Sequence, residues 1–333
     1  MAKSPNHQIN NPMQIEFKTT SQITATGWES YTAAFNQVFK KETTVDYFHQ
    51  KYRFTIDGGS YHVFLTVGDQ VVGACTVIPY EYCFEEKIMR CGLAVDVFIV
   101  TEFRNDPLAL YRMYKILKKE LIQKDIALII AVPNDVAYPY WKNVVKWKVT
   151  GLLNYYVLPV KSATITAKLP VVFNPLNHAY ANLMVFLSRF VQSTERLSKI
   201  RINRANKIVE VQRYTKDHLQ FTIAKTFVSY RIVYEEGINT CYLIDFYNIH
   251  KGCKDAASLQ QAMQKIMADE TVDIIVFIGK LNFFQLLLLK LPFRFEPRHL
   301  YLMTDILITE KINTTLISDI RNWDFGLFNY DVR

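Results

Sequence analysis

The sequence predicts a mixed α/β chain in which one layout occurs twice, and three observations carry that prediction. Residues Ala94–Val100 (AVDVFIV) read as a buried strand, followed by a helical stretch Pro107–Lys124, a second apolar strand Ala127–Pro133 and a short helix ending at Trp147. The second half repeats the order, with Cys241–Ile249 as a strand, Ala256–Glu270 as a helix, Val272–Gly279 as a strand and Asn282–Phe293 as a helix running into a strand. The interval from Asp96 to Asp125 nearly equals that from Asp245 to Asp273, so the halves register as two copies of one unit.

The elements follow in order. Trp28–Phe39 and Thr44–Tyr52 carry apolar residues at three- and four-residue spacing, which predicts two opening helices. His62–Val67 and Gln70–Pro79 form a hairpin about Gly68-Asp69, and Glu81–Met89 with Ala94–Val100 extends the same antiparallel sheet. The Thr-, Ser- and Pro-containing stretch Lys161–Asn174 is a connection, and Pro175 opens a bridging helix, Leu176–Ser198. The expected organisation is a disordered lead-in 1–13, an N-terminal domain 14–165, a linker and bridging helix 166–206, and a C-terminal domain 207–333.

Composition bounds the class. A chain of 333 residues, 50 % hydrophobic, is long enough for two domains with their own cores. Its five cysteines are odd in number and lack CxxC spacing, which argues against a secreted disulfide framework or a zinc site and for a reducing cytoplasm. The first residues lack the apolar stretch of a secretory signal. Ile274–Phe293 is interrupted by Gly279, Lys280, Asn282 and Lys290, short of the roughly 20 apolar residues that a membrane span needs. The net charge of +8 is spread along the chain, with some concentration between Arg189 and Arg213, where Arg196, Lys199, Arg201, Arg204 and Lys207 are scarcely balanced. Such a run is a solvated face or an anion-facing surface for nucleotide, RNA or lipid headgroups.

Several segments resemble the GNAT acetyltransferase superfamily, and more narrowly its tandem two-domain bacterial members. They are GDQVVGACTVIP for the hairpin, AVDVFIVTEFR for the strand entering the cofactor loop, VPNDVAYPYWKNVVKWKVTG, and the terminal WDFGLFNYDV. The resemblance implies two GNAT-like acyl-CoA N-acyltransferase domains in tandem. It also implies that strands Val95–Val100 and Leu128–Val132 splay apart to receive the pantetheine arm as an added strand, with a loop and helix N-terminus holding the pyrophosphate. The implied cofactor contacts are Phe98, Ile99 and Val100 on the strand, Arg104, Asn105, Asp106, Leu108 and Ala109 on the loop, and Asn134 after the second strand.

The loop departs from the family pattern because Pro107 replaces its first glycine. Proline has no N–H, and losing one charge-assisted hydrogen bond costs about 1.5–3 kcal/mol, roughly ten- to a hundredfold in affinity. Asp106 before Pro107 is also a favourable helix start, with Asp as N-cap. Two readings stay open: an ordinary capped helix, or a modified cofactor loop whose anion site Asp106 tunes or blocks.

Acyl transfer from a thioester to an amine needs a group to take the amine proton and one to protonate the departing thiolate. Asp96, a carboxylate on an otherwise apolar strand, is a candidate base or a hydrogen-bonded structural residue. Tyr138 and Tyr140 flank Pro139 near where the family places an acid, and are otherwise core-packing aromatics. The histidines are scattered without metal-ligand spacing, and no GxSxG, P-loop or GxGxxG motif occurs. In the second copy, Asn248-Ile249-His250-Lys251-Gly252 stands where the first has its loop, without an Arg-x-x-Gly pattern, so this copy is expected to shape the acceptor pocket.

The expectation is a cytoplasmic N-acyltransferase using acetyl-CoA or another acyl-CoA as co-substrate, with no metal and no membrane span. Its acceptor is an amine (amino sugar, nucleotide-linked sugar or small amine), with the basic surface favouring an anionic one. The alternatives are a tRNA-dependent aminoacyl transferase of the peptidoglycan cross-bridge type and a non-catalytic GNAT-fold binding module.

Overall fold

The computed structural model describes residues 12–161, 173–191, 198–208, 217–268 and 271–330. The chain divides into two units, the first comprising residues 1–80 and 92–126 and the second 81–91 and 127–333. The predicted lead-in up to residue 11, most of the 161–174 connection, Arg196 and Arg213 lie outside the described residues.

The first unit holds β1 (Met13–Thr19), α1 (Ala25–Phe39), α2 (Val45–Arg53), β2 (Tyr61–Val67), most of β3 (Gln70–Phe84) and β4 (Lys87–Ile99), and α3 (Ala109–Gln123). Its strands run in the order β1-β2-β3-β4. The predicted hairpin is present, with Val67 opposite Gln70 and Gly68 at φ 58 in the turn. Thr24 and Thr44 start α1 and α2 because their hydroxyls accept the Gly27 and Tyr47 N–H groups that the first helical turn leaves unpaired. Every residue of β2 is buried, since helices cover both faces: Tyr31 of α1 meets Phe64, and α3 lies against β1 and β2.

The second unit begins with the tip of the β3–β4 hairpin, where Tyr82–Phe84 pairs antiparallel with β7 (Ile200–Ile202). Then come β5 (Leu128–Ala131), α4 (Tyr138–Tyr140, continued as a π turn to Val145), β6 (Lys148–Pro159) and α5 (Phe173–Leu187). After β7 follow β8 (Leu219–Ile223), β9 (Thr226–Glu235), β10 (Ile238–Asn248), α6 (Ala256–Met267), β11 (Ile274–Gly279), β12 (Leu289–Lys290), β13 (Leu300–Ile306) and α7 (Thr314–Ile317). The strand order is β5-β13-β6-β11-β10-β9-β8. Core residues of β6, β10 and β11 meet Ala181 and Val185 of α5 and Leu259, Met263 and Ile266 of α6. Among the described residues no helix is long and apolar enough to cross a membrane.

Four sequence expectations are corrected. No helix forms over Asn282–Phe293: the Gln285 side chain bonds both the N–H and the carbonyl of Leu288, and Leu289–Lys290 pairs with β6 instead. A run of four leucines has no helical period, so packing of Leu287 and Leu288 into the core decides its path. The bridging helix starts at Phe173 and ends at Leu187 instead of spanning Leu176–Ser198. Pro175 is tolerated inside its first turn, where amides have no intrahelical partner. Glu81–Met89 is two strand ends joined at Glu85-Glu86, with Glu85 at φ 57. Finally, α3 begins at Ala109, one turn beyond Asp106.

Candidate active site

The Asp96 side chain is largely buried in the first unit and is held by two residues of α2, backed by one of α1, that the sequence reading missed. The Lys51 ammonium lies 2.5 Å from its carboxylate, and the Tyr52 hydroxyl donates to it. Tyr52 is in turn 2.8 Å from the Tyr31 hydroxyl. Burial first, then the Asp96 charge, push the Tyr52 phenol well above its ordinary value, so it keeps its proton. Asp96 itself sits at φ 48, an uncommon conformation for a residue with a side chain. The signal for its partner was legible: Lys51 falls on the buried line of α2 with Phe48 and Tyr52, a position where a lysine needs an acid. Behind this group, His62 bonds Thr20 and Thr76 through its two ring nitrogens.

The strand below Asp96 leads to the predicted loop. Phe98 and Val100 are buried and Ile99 is half-buried. Phe98 packs on Tyr31, Phe35 and Phe39, and the Val100 N–H donates to the Val72 carbonyl. Arg104 turns back, its Nε donating to the Ile99 carbonyl at 2.7 Å. The Asp106 carboxylate accepts the Leu108 N–H at 2.9 Å and pairs with Arg112. Asn105 and Leu108 are exposed, and Ala109 is buried at the helix start. The loop thus satisfies with its own side chains a strand carbonyl and a helix-entry amide.

Asn134, Tyr138 and Tyr140 belong to the second unit. The Asn134 side chain accepts the Ala137 N–H at 2.8 Å, closing the turn that starts α4. Tyr138 is half-buried, stacked on Tyr301 at 4.5 Å between ring centroids and covered by Lys142, and Tyr140 is half-buried.

The second unit contains a pair of diverging parallel strands. β10 and β11 pair only from Thr240–Ile274 to Tyr242–Val276. Beyond that point β10 runs on to Asn248 with β9, and β11 runs on to Gly279 with β6. The gap is occupied by the chain itself. Gly279 bridges Gly326, the Lys280 N–H donates to the Phe325 carbonyl at 2.7 Å, and the short turn Leu327–Asn329 lies against both strands. A Cβ on Gly279, which has φ 157, would stand 2.5 Å from the Phe325 oxygen, so the close approach requires glycine.

This arrangement is anchored by a second buried carboxylate. Asp245 accepts from both Arg204 terminal nitrogens, at 2.6 and 3.1 Å, while Lys254 lies 3.6 Å away and also pairs with Asp324. The Arg204 guanidinium covers the Tyr247 ring at 4.0 Å. The loop after β10 is closed as well, since the Asn248 side chain accepts the His250 and Lys251 amides. None of the five cysteines is in a disulfide, and burial pushes the Cys75 thiol up to about 12.

No family profile and no curated protein matches the chain by sequence. Solved structures match it by fold. A GCN5-related N-acetyltransferase from Kribbella flavida aligns with a TM-score of 0.59 at 11 % identity, over 90 % of this chain and 72 % of its own. Another, from Anabaena variabilis, gives 0.54 at 11 % identity, over 88 % and 73 %. The N-myristoyltransferase of Saccharomyces cerevisiae, solved with bound myristoyl-CoA, gives 0.52 at 9 % identity, over 87 % and 82 %. The chain has the fold of the GCN5-related N-acetyltransferases.

Proposed function

We propose that the chain is an acyl-CoA-dependent N-acyltransferase of tandem-domain organisation, with acetyl-CoA as the default donor and an amine, preferably anionic, as acceptor. The acyltransferase fold over nearly the whole chain carries this reading, and the net charge of +8 supports the acceptor preference. In this scheme the donor binds on the Arg104–Ala109 side of the first copy. The second copy, its strand gap filled by Trp323–Tyr330, supplies acceptor contacts. The Lys51 ammonium and the Tyr52 hydroxyl that already engage Asp96 count against it as the group that takes the amine proton.

The self-bonded loop favours a second reading, a binding module without catalysis. Calorimetry with acetyl-CoA on the parent chain and on Asp106→Gly separates the two. Micromolar binding by the parent supports the enzyme, and the variant, freeing the Leu108 amide, should bind about tenfold or more tightly. Binding by neither protein would remove the donor assignment.

A further inference from the structure

We propose that a cavity in the second unit binds a small phosphorylated molecule, with Arg201 as the residue that grips the phosphate. The cavity has a volume of about 710 Å³ and is lined by the Glu85-Glu86 turn of the β3–β4 hairpin, by the chain entering β7, and by the entry to α7. Pockets that enclose small molecules span roughly 300–1,000 Å³, so the size suits such a ligand.

The basic run between Arg189 and Arg213 leads to this cavity, and the structure divides its members. Arg204 is committed to Asp245, and Lys199 pairs with Glu85 at 3.1 Å. Arg201 differs from both. It stands opposite Cys83 in the pairing of β7 with β3, lines the cavity, is half-buried, and makes no ion pair among the described residues. A partly desolvated guanidinium keeps its charge and offers a fork of N–H donors, which fits the oxygens of a phosphate.

Charge and shape define the ligand further. Lys87, Lys199 and Lys311 join Arg201 in the lining against Glu85 and Glu86, which leaves the described lining with two positive charges in excess. That excess matches the dianion of a phosphate monoester, whereas a carboxylate would neutralise only half of it. Phe84, Met89 and Leu316 give the cavity an apolar side, so the phosphate is carried on an apolar or aromatic group. All these residues belong to the second unit, and the assignment is independent of a donor site at Arg104–Ala109.

The test is calorimetry of the full chain with phenyl phosphate and with inorganic phosphate, after circular dichroism confirms that each variant is folded. The parent should bind phenyl phosphate about tenfold or more tightly than inorganic phosphate. Arg201→Gln should weaken phenyl phosphate binding by about tenfold or more. Arg201→Lys, which keeps the charge and loses the fork, should fall between the parent and Arg201→Gln. Lys87 is exposed, and Lys87→Gln should weaken binding by about threefold. Four results would overturn the proposal: no binding of phenyl phosphate at millimolar concentration, equal affinity for the two anions, binding that folded Arg201→Gln and Lys87→Gln leave unchanged, or binding that Arg104→Gln abolishes and Arg201→Gln keeps.

Discussion

Asp96 of the first unit and Asp245 of the second are each a largely buried carboxylate met by a cation, yet the surroundings differ. Asp96 has one lysine, Lys51, and a phenol pair, Tyr52 and Tyr31, all within the first unit. Asp245 has an arginine stacked on Tyr247 and a lysine shared with Asp324. The first arrangement ends in two hydroxyls, one of which holds a proton tightly. The second ties the terminal segment across the gap between β10 and β11. Similar strand chemistry is therefore used once to order protonated groups and once to close the fold, and the nature of the partners decides which.

The sharpest way to break this comparison is Asp245→Asn, which leaves Arg204 and Lys254 buried beside a neutral amide. It should cost about 3–5 kcal/mol in urea unfolding and expose the segment after Asn322 to protease. If that segment stays resistant, Asp245 does not anchor it.

Acid should separate the units next. Burial lowers the pKa of His62 from 6.5 to about 3, so the folded protein holds a neutral ring that the unfolded chain would protonate. Its contribution is full above pH 6.5 and is lost as the pH falls towards about 3. The limit is about 5 kcal/mol. His62→Gln should flatten the slope of stability against pH in that interval; an unchanged slope would assign acid sensitivity to other groups.

Lys51→Met should cost about 3 kcal/mol, less than the Asp245 variant, because Tyr52 still donates to the stranded carboxylate. Equal losses in the two variants would mean that the phenols contribute little.

The smallest effect belongs to the glycine that permits closure. Gly279→Ala should lower stability by about 2 kcal/mol through the clash with Phe325 and its positive φ. Gly237→Ala, at φ 83 with open space around it, isolates the backbone part and should cost about 1 kcal/mol. Matching melting temperatures would show that the terminal segment yields easily.

Much of this molecule was legible before any coordinates. The hairpin about Gly68-Asp69, the two opening helices and the repeated strand–helix–strand order follow from local periodicity and turn chemistry, which depend on neighbours in the chain. The loop from Arg104 to Ala109 was also located by its residues, including the proline that removes an amide. The leucine run at 286–289 misled because an unbroken apolar stretch has no period to read.

By itself the sequence determined most of the elements, their order and the residue types available at the loop and on the strands. Only the tertiary structure decided that Lys51 meets Asp96, that Arg204 and Lys254 meet Asp245, and that Trp323–Tyr330 fills the gap between β10 and β11. Most of those contacts join residues tens of positions apart, and a charge or a glycine has no periodic signature. Its partner is selected by burial, where an unpaired ion or a misplaced Cβ costs more than the chain's local preferences can offset.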